Sequence, residues 1–139
     1  MKRITLQLIS FCLLLLLPAT ALHAQSKAAS DANAAAYELY AAGDYKGAAA
    51  AYEKILKDFP TDGIVSGVQL QLAFCNYFLA QYDQAQAILT KAASGPPLSP
   101  ELKQIVDGLL PQIISAKAAA MTATDPKRTA TFNEAITKF

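Results

Sequence analysis

The chain has 139 residues, 53% of them apolar and 17% charged, with 12 Lys+Arg against 11 Asp+Glu. Its one histidine, His23, and one of its two cysteines, Cys12, fall inside an apolar N-terminal run, so beyond residue 24 only Cys75 remains. That composition excludes a His-based triad, a His-ligated metal and an internal disulfide. Subtracting Lys2 and Arg3 leaves 10 basic against 11 acidic residues, a balance that gives nucleic acid no electrostatic footing.

Residues 1–24 have the layout of a secretory signal peptide. Lys2 and Arg3 form a positive start, Phe11 to Leu17 an uninterrupted apolar stretch, and Pro18 breaks it before small residues. Cleavage is expected after Ala24, in Leu22-His23-Ala24, with Ala21 as the alternative. Seven uninterrupted apolar residues fall far short of the roughly 20 that span hydrocarbon, so no membrane span is expected in the mature form. Export to the periplasm or cell envelope follows. Cys12 lies within the apolar run rather than behind a cleavage site, which argues against lipidation.

Residues 25–31, small and polar, read as a flexible leader. Beyond them the chain is rich in helix formers, with 25 alanines in residues 25–139, and no period-2 alternation is sustained. The expected class is all-α. A first helix runs from about Ala32 to Ala42, capped by Ser30 or Asp31 and stopped by Gly43. A second runs from Tyr45 to Phe59, with Ala48, Tyr52, Ile55, Leu56 and Phe59 on one face and Pro60 after it. A third, Ile64 to Ala80, is apolar nearly all round and needs cover on more than one side. The fourth, Tyr82 to Ala93, ends at Ser94-Gly95-Pro96-Pro97. The fifth takes Ser99 as N-cap and Pro100 as its first residue. Its stripe of Leu102, Ile105, Val106, Leu109, Leu110, Ile113 and Ile114 continues across Pro111, where a kink is expected. A sixth begins near Asp125-Pro126, with Phe132, Ala135, Ile136 and Phe139 on one face.

Laying the second helix over the fourth exposes an internal repeat. Gly43-Asp44-Tyr45-Lys46-Gly47-Ala48, then Tyr52, Ile55 and Pro60, aligns with Ala80-Gln81-Tyr82-Asp83-Gln84-Ala85, then Leu89, Ala92 and Pro97. The pattern resembles the tetratricopeptide repeat. The resemblance implies an α-solenoid of antiparallel helix pairs, with two repeats over residues 32–97 and an amphipathic helix plus an incomplete third repeat over 98–139. In that third unit Phe132 is matched with Tyr52 and Ala135-Ile136 with Ile55-Leu56. Tyr52 to Leu89 spans 37 residues, rather than the usual 34 of this repeat. Ala80 stands where Gly43 frees the first turn, which leaves the second turn in question. The stretched repeat behind a signal peptide is similar to the repeats of exported envelope proteins of the TolA-binding and outer-membrane-assembly type.

The resemblance implies a non-catalytic adaptor or scaffold, holding a protein or peptide on the groove lined by the first helix of each pair. The groove positions fall on Asn33, Tyr37 and Tyr40 in the first repeat and on Leu70, Phe74, Tyr77 and Phe78 in the second; Phe78 reads first as core. Tyrosine suits such a surface, offering large contact area and a hydroxyl at low entropic cost. Residues 30–42 and 63–80 contain no Lys or Arg, which argues against a clamp for a partner's C-terminal carboxylate. Cys75, in the most apolar helix, reads as a buried small hydrophobe. No carboxylate pair stands beside a nucleophile, so no enzyme, cofactor, metal or small-molecule substrate is expected. An alternative is a self-assembling subunit, associating through the apolar helices of the C-terminal part. Expression in a secreting host should yield an exported chain whose N-terminal residue is Gln25; mass spectrometry of the intact product checks this, and an uncleaved Met1 start would remove the export assignment.

Overall fold

A computed structural model describes residues 26–95, 97–121 and 125–138. These residues form six helices: α1 (Lys27–Ala41), α2 (Tyr45–Asp58), α3 (Val65–Phe78), α4 (Tyr82–Ala93), α5 (Pro100–Ala120) and α6 (Arg128–Lys138). Each helix packs on the next, and α3 also touches α5. Among the described residues there is no strand. The result is an all-α solenoid of the tetratricopeptide type, in three successive hairpins.

The local causes are those of capping and turn chemistry. Helix α1 starts at Lys27, because the Ser26 side chain accepts from the Ala29 N–H. Residues 27–31, expected as a flexible leader, are its first turn, and Ala29 is buried in the core. Ser26 N–H also donates to the Asp62 carboxylate at 2.9 Å, tying the start of α1 to the α2–α3 loop. Asp44 caps α2 by accepting from Gly47 N–H at 2.9 Å. A Cβ on Gly47 would lie 2.2 Å from that carboxylate. In the second hairpin Gln81 and Gln84 replace Asp44 and Gly47, and the cap and the space for it vanish together. Ser99 caps α5 with Pro100 at its first position.

The turn in question is preserved. In the first hairpin Ala42, Gly43 and Asp44 N–H donate to the carbonyls of Glu38, Tyr40 and Leu39; in the second, Leu79, Ala80 and Gln81 donate to Cys75, Tyr77 and Asn76, at 2.8 to 3.0 Å throughout. Every donor and acceptor is displaced by the same 37 residues (80 minus 43), and this is the Schellman pattern of helix termination. It requires a left-handed residue. Gly43 supplies φ 81 without penalty, whereas Ala80 is driven to φ 57, a region costing a Cβ-bearing residue about 1–2 kcal/mol.

Two clusters make the core. Ala36, Ala48, Tyr52, Ile55, Val68, Leu72 and Cys75 join α1, α2 and α3. Leu70, Ala73, Ala85, Leu89, Val106, Leu109, Ile113, Ile114 and Ala135 join α3 to α6. Helix α3 contributes to both, which is why it is apolar on more than one side. The stripe of α5 faces inward as well: Val106, Leu109, Leu110, Ile113 and Ile114 are all buried. Only Ile105 of that stripe is exposed, at 42%, so the α5 part of the surface expected to bind another copy is consumed within the chain. Helix α5 runs unbroken through the buried Pro111.

The third hairpin keeps the design in a different register. Counting from the first residue of α2, α4 and α6, the fourth positions are Ala48, Ala85 and Thr131 and the eighth are Tyr52, Leu89 and Ala135, all six buried. Ala135, not Phe132, is therefore the counterpart of Tyr52, a shift of three residues from the alignment expected. Phe132 is half-buried beneath the Arg128 guanidinium, 5.4 Å from its ring centre, and Ile136 is 68% exposed. Phe139 lies outside the described residues. Helix α5 has 21 residues against 14 in α3, about two turns more, and that length hides the register from sequence alignment.

Ala80→Gly should raise stability by about 1 kcal/mol and Gly43→Ala should lower it by about 1–2 kcal/mol. No atom lies within 4 Å of a Cβ built on Gly43, so the second effect is conformational. Urea denaturation followed by circular dichroism measures both.

Candidate partner-binding surface

The surface grows out of the two Schellman turns. Each turn ends an A helix on a tyrosine two residues before the C-cap and starts a B helix on another: Tyr40 and Tyr45 in the first hairpin, Tyr77 and Tyr82 in the second. The turn folds these rings edge to face, at 5.5 Å and 65° in the first and 5.9 Å and 61° in the second. Phe78 then stacks on Tyr45 at 4.6 Å and 17°, and lies 5.6 Å from Tyr77. Tyr37 continues the row beyond Tyr40, at 6.0 Å. Six rings thus form one continuous ladder across the junction of the two hairpins. Offset and edge-on contacts of this kind add about 0.5–1.5 kcal/mol each beyond area burial.

The expected groove residues divide. Tyr37, Tyr40 and Tyr77 belong to the ladder; Tyr37 is 52% exposed, while Tyr40 and Tyr77 are half-buried. Phe74 is half-buried and rests against the second core cluster. Leu70 is buried within that cluster, 7% exposed, and offers a partner almost no surface. Asn33 lies one turn before Tyr37 on α1, with its Oδ1 buried and without a partner among the described residues. Phe78, first read as core, is instead 49% exposed and central to the ladder. A Phe following Tyr at the end of an apolar helix carries no mark of which side it will face. Tyr45 and Tyr82 were not among the expected positions. Their signal was present as the aromatic repeated one residue after each capping position.

Beneath the ladder is a knot of weak acids. Burial pushes the Cys75 thiol up to about 11 from its ordinary 9.0. Burial, then the proximity of Cys75, Tyr40 and Tyr37, pushes the Tyr52 phenol up to about 12. Burial and the neighbouring Tyr45, Cys75 and Tyr37 raise Tyr40 in the same direction. A thiol kept neutral in this way is a poor nucleophile. Among the described residues no group of three or more His, Cys, Asp or Glu side chains is placed to hold a metal ion, and no helix is long and apolar enough to cross a membrane.

Clefts open at the Tyr82 end of the ladder and away from it. One of about 360 Å3 lies between the start of α4 and the end of α5, walled by Tyr82, Asp83, Lys117 and Met121. Lys117 and Asp83 pair across it at 2.5 Å. Another of about 350 Å3 runs along α1 and α2 over Ala32, Ala35, Leu39 and Phe59. A third, of about 570 Å3, sits beside the α2–α3 and α4–α5 loops near Leu56, Gln69 and Leu102.

The tetratricopeptide-repeat family matches residues 39–106. The matched stretch spans the end of α1, all of α2, α3 and α4, and the start of α5, so the ladder falls within it except for Tyr37. Over this stretch, 68 of the 139 residues, the chain is similar to tetratricopeptide-repeat proteins. No curated protein and no solved structure gives a significant match.

Both raised values have one consequence for stability. Each group is neutral in the folded state and ionises more readily when unfolded, so its contribution is intact below about pH 9 and is lost as pH rises through 11 and 12. Unfolding free energy should therefore be level from pH 7 to 9 and fall above it. Tyr52→Phe should leave stability at pH 7 unchanged or raise it by about 1 kcal/mol, because the buried hydroxyl has no partner among the described residues. A loss larger than about 1 kcal/mol in urea denaturation at pH 7 would mean that the hydroxyl is bonded after all.

Proposed function

We propose that this chain is a non-catalytic adaptor which, after export and removal of residues 1–24, works in the cell envelope by holding a protein or peptide partner on the aromatic ladder. One observation carries the reading. The tetratricopeptide repeat is a protein-interaction module, and in this chain its A-helix face carries large apolar rings left open to solvent, Tyr37 at 52% and Phe78 at 49%. Tyr and Phe in contact clusters concentrate binding energy at interfaces. The absence of Lys and Arg from residues 30–42 and 63–80 turns the surface away from carboxylate or phosphate anchors. The cell-envelope setting rests on the signal-like N-terminus and on the resemblance to exported envelope repeats. The non-catalytic reading rests on the absence of His beyond residue 24 in the sequence and on the repeat's usual role as an interaction module.

Self-assembly through the α5 stripe loses its surface, since those side chains fill the intrachain core, and it is not proposed. Tyr37→Ala combined with Tyr77→Ala should abolish capture of a partner from envelope extract while leaving helicity unchanged. Affinity capture with mass spectrometry and circular dichroism on the same sample test this, and full capture by a folded double variant would remove the ladder from the binding role.

A further inference from the structure

We propose that removal of residues 1–24 creates an ion pair, in which the new α-ammonium of Gln25 meets the Asp62 carboxylate and clamps the start of α1 to the α2–α3 loop. This rests on the export reading above, with cleavage after Ala24.

Asp62 is already arranged to receive a cation. Its Oδ2 accepts from Ser26 N–H at 2.9 Å and its Oδ1 from Ile64 N–H at 3.2 Å. Those bonds, that of Ser26 first, hold the carboxyl below its ordinary value, so it is charged at neutral pH. Yet Asp62 is in no ion pair among the described residues. Hydrolysis of the Ala24–Gln25 peptide bond puts a carboxylate on Ala24, which leaves with the leader, and an ammonium on Gln25. Covalent geometry keeps that nitrogen within about 4 Å of Ser26 N and so, across the 2.9 Å bond, within about 7 Å of Asp62 Oδ2. In a trans peptide the Ser26 N–H lies on the same side as Cα of Gln25. Ammonium and N–H can therefore close on one carboxylate, as consecutive backbone N–H groups close on an anion.

The start of α1 needs that countercharge. Aligned peptide dipoles leave a helix N-terminus partly positive, so a new cation just before it is repelled. Helix α1 has no acidic residue in its first turn, and its first residue is Lys27. Lys27 is offset by Asp31, whereas Asp62, brought in from 36 residues away, is held against the end itself. The other charged groups on the adjoining elements are Asp58, paired with Lys54; Lys57, in the last turn of α2; and Lys91, which shares a cleft wall with Asp62. The first turn of α1 matters to the core, because Ala29 within it is fully buried against α2 and α3. This edge of the solenoid thus tightens only once the leader has gone.

The pair stabilises where both groups are charged. An α-amine ordinarily titrates at about 7.7–8.0 and an Asp carboxyl at about 3.9. Pairing raises the first and lowers the second. The gain is therefore complete between roughly pH 5 and 7; it is lost as pH rises through the amine's raised value or falls through the carboxyl's lowered one.

The test compares the secreted chain with its own neutral counterpart. Glutaminyl cyclase converts an N-terminal Gln to a lactam: the α-amine attacks the side-chain amide carbon, ammonia leaves, and the cation is gone with no residue lost. In urea denaturation at about pH 6 and low salt, the uncyclised chain should have a folding equilibrium constant about two- to five-fold above the cyclised one, the range of an exposed pair. Salt at about 1 M should shrink the difference. Asp62→Asn should abolish it, whereas a carboxylate acting only as a hydrogen-bond acceptor would leave it in place. Should that variant fail to fold, NMR titration of Asp62 in the two unsubstituted chains decides, with the lower midpoint expected in the uncyclised one. Equal stabilities and midpoints, or a difference of the same size in Asp62→Asn, overturn the ion pair and leave export standing. A product that starts at Leu22 also removes the ion pair alone, and one that starts at Met1 removes the export reading with it.

Discussion

The close approach of two helices at a pair of alanines governs the rest of the structure. Ala36 with Ala48, and Ala73 with Ala85, are fully buried in the two core clusters, and a methyl is the whole side chain that each brings to the packing of its hairpin. Larger side chains there would push the arms apart, and the cores on either side depend on that spacing. Tyr52 and Leu89, one turn further along, are likewise at 0% exposure and fill the space between one hairpin and the next. In the third hairpin Thr131 and Ala135 take these two places. Glu134, beside them, reaches back to Gln86 on α4 at 3.0 Å. Small residues at both positions bring α6 close to α5 while it presents little bulk of its own.

The same spacing builds the aromatic face. With the arms held close, the chain must reverse within three residues, and it does so twice through the same left-handed turn and the same hydrogen bonds. That reversal places the last tyrosine of one helix against the first of the next. Stacking one hairpin on the other then slides Phe78 over Tyr45. The ladder is thus a by-product of turn geometry and solenoid stacking. The strain lies in the backbone at Ala80, where the repeat's geometry overrides a residue's own preference.

Surface charge contributes little beside this. Lys27–Asp31, Lys54–Asp58 and Lys103–Asp107 are i,i+4 pairs with lysines 67% to 87% exposed, worth about 0.3–0.5 kcal/mol each. Lys117–Asp83 is better placed, with the lysine 26% exposed and α4 tied to α5. Burial of Leu89, Ile113 and Ile114 outweighs all of them, since deleting one such side chain typically costs about 2–5 kcal/mol.

Local chemistry made most of the fold legible in the sequence. Breakers at Gly43, Pro60 and Gly95 delimit helices, Ser99 before Pro100 marks a helix start, and the spacing of Ala48, Tyr52 and Ile55 recurs at Ala85, Leu89 and Ala92 because each repeat solves one packing problem in the same way. Three things needed the tertiary structure. Helix α1 gains its first turn because Ser26 both caps it and meets Asp62, a contact across 36 residues. The third hairpin's register depends on the length of α5 and on which face of α6 meets it, so Phe132 proved peripheral and Thr131 central. The exposure of Phe78 and the recruitment of Tyr45 and Tyr82 arise where two hairpins meet. A single helix's periodicity records which residues are apolar, but only stacking against a neighbour decides which of them water still reaches.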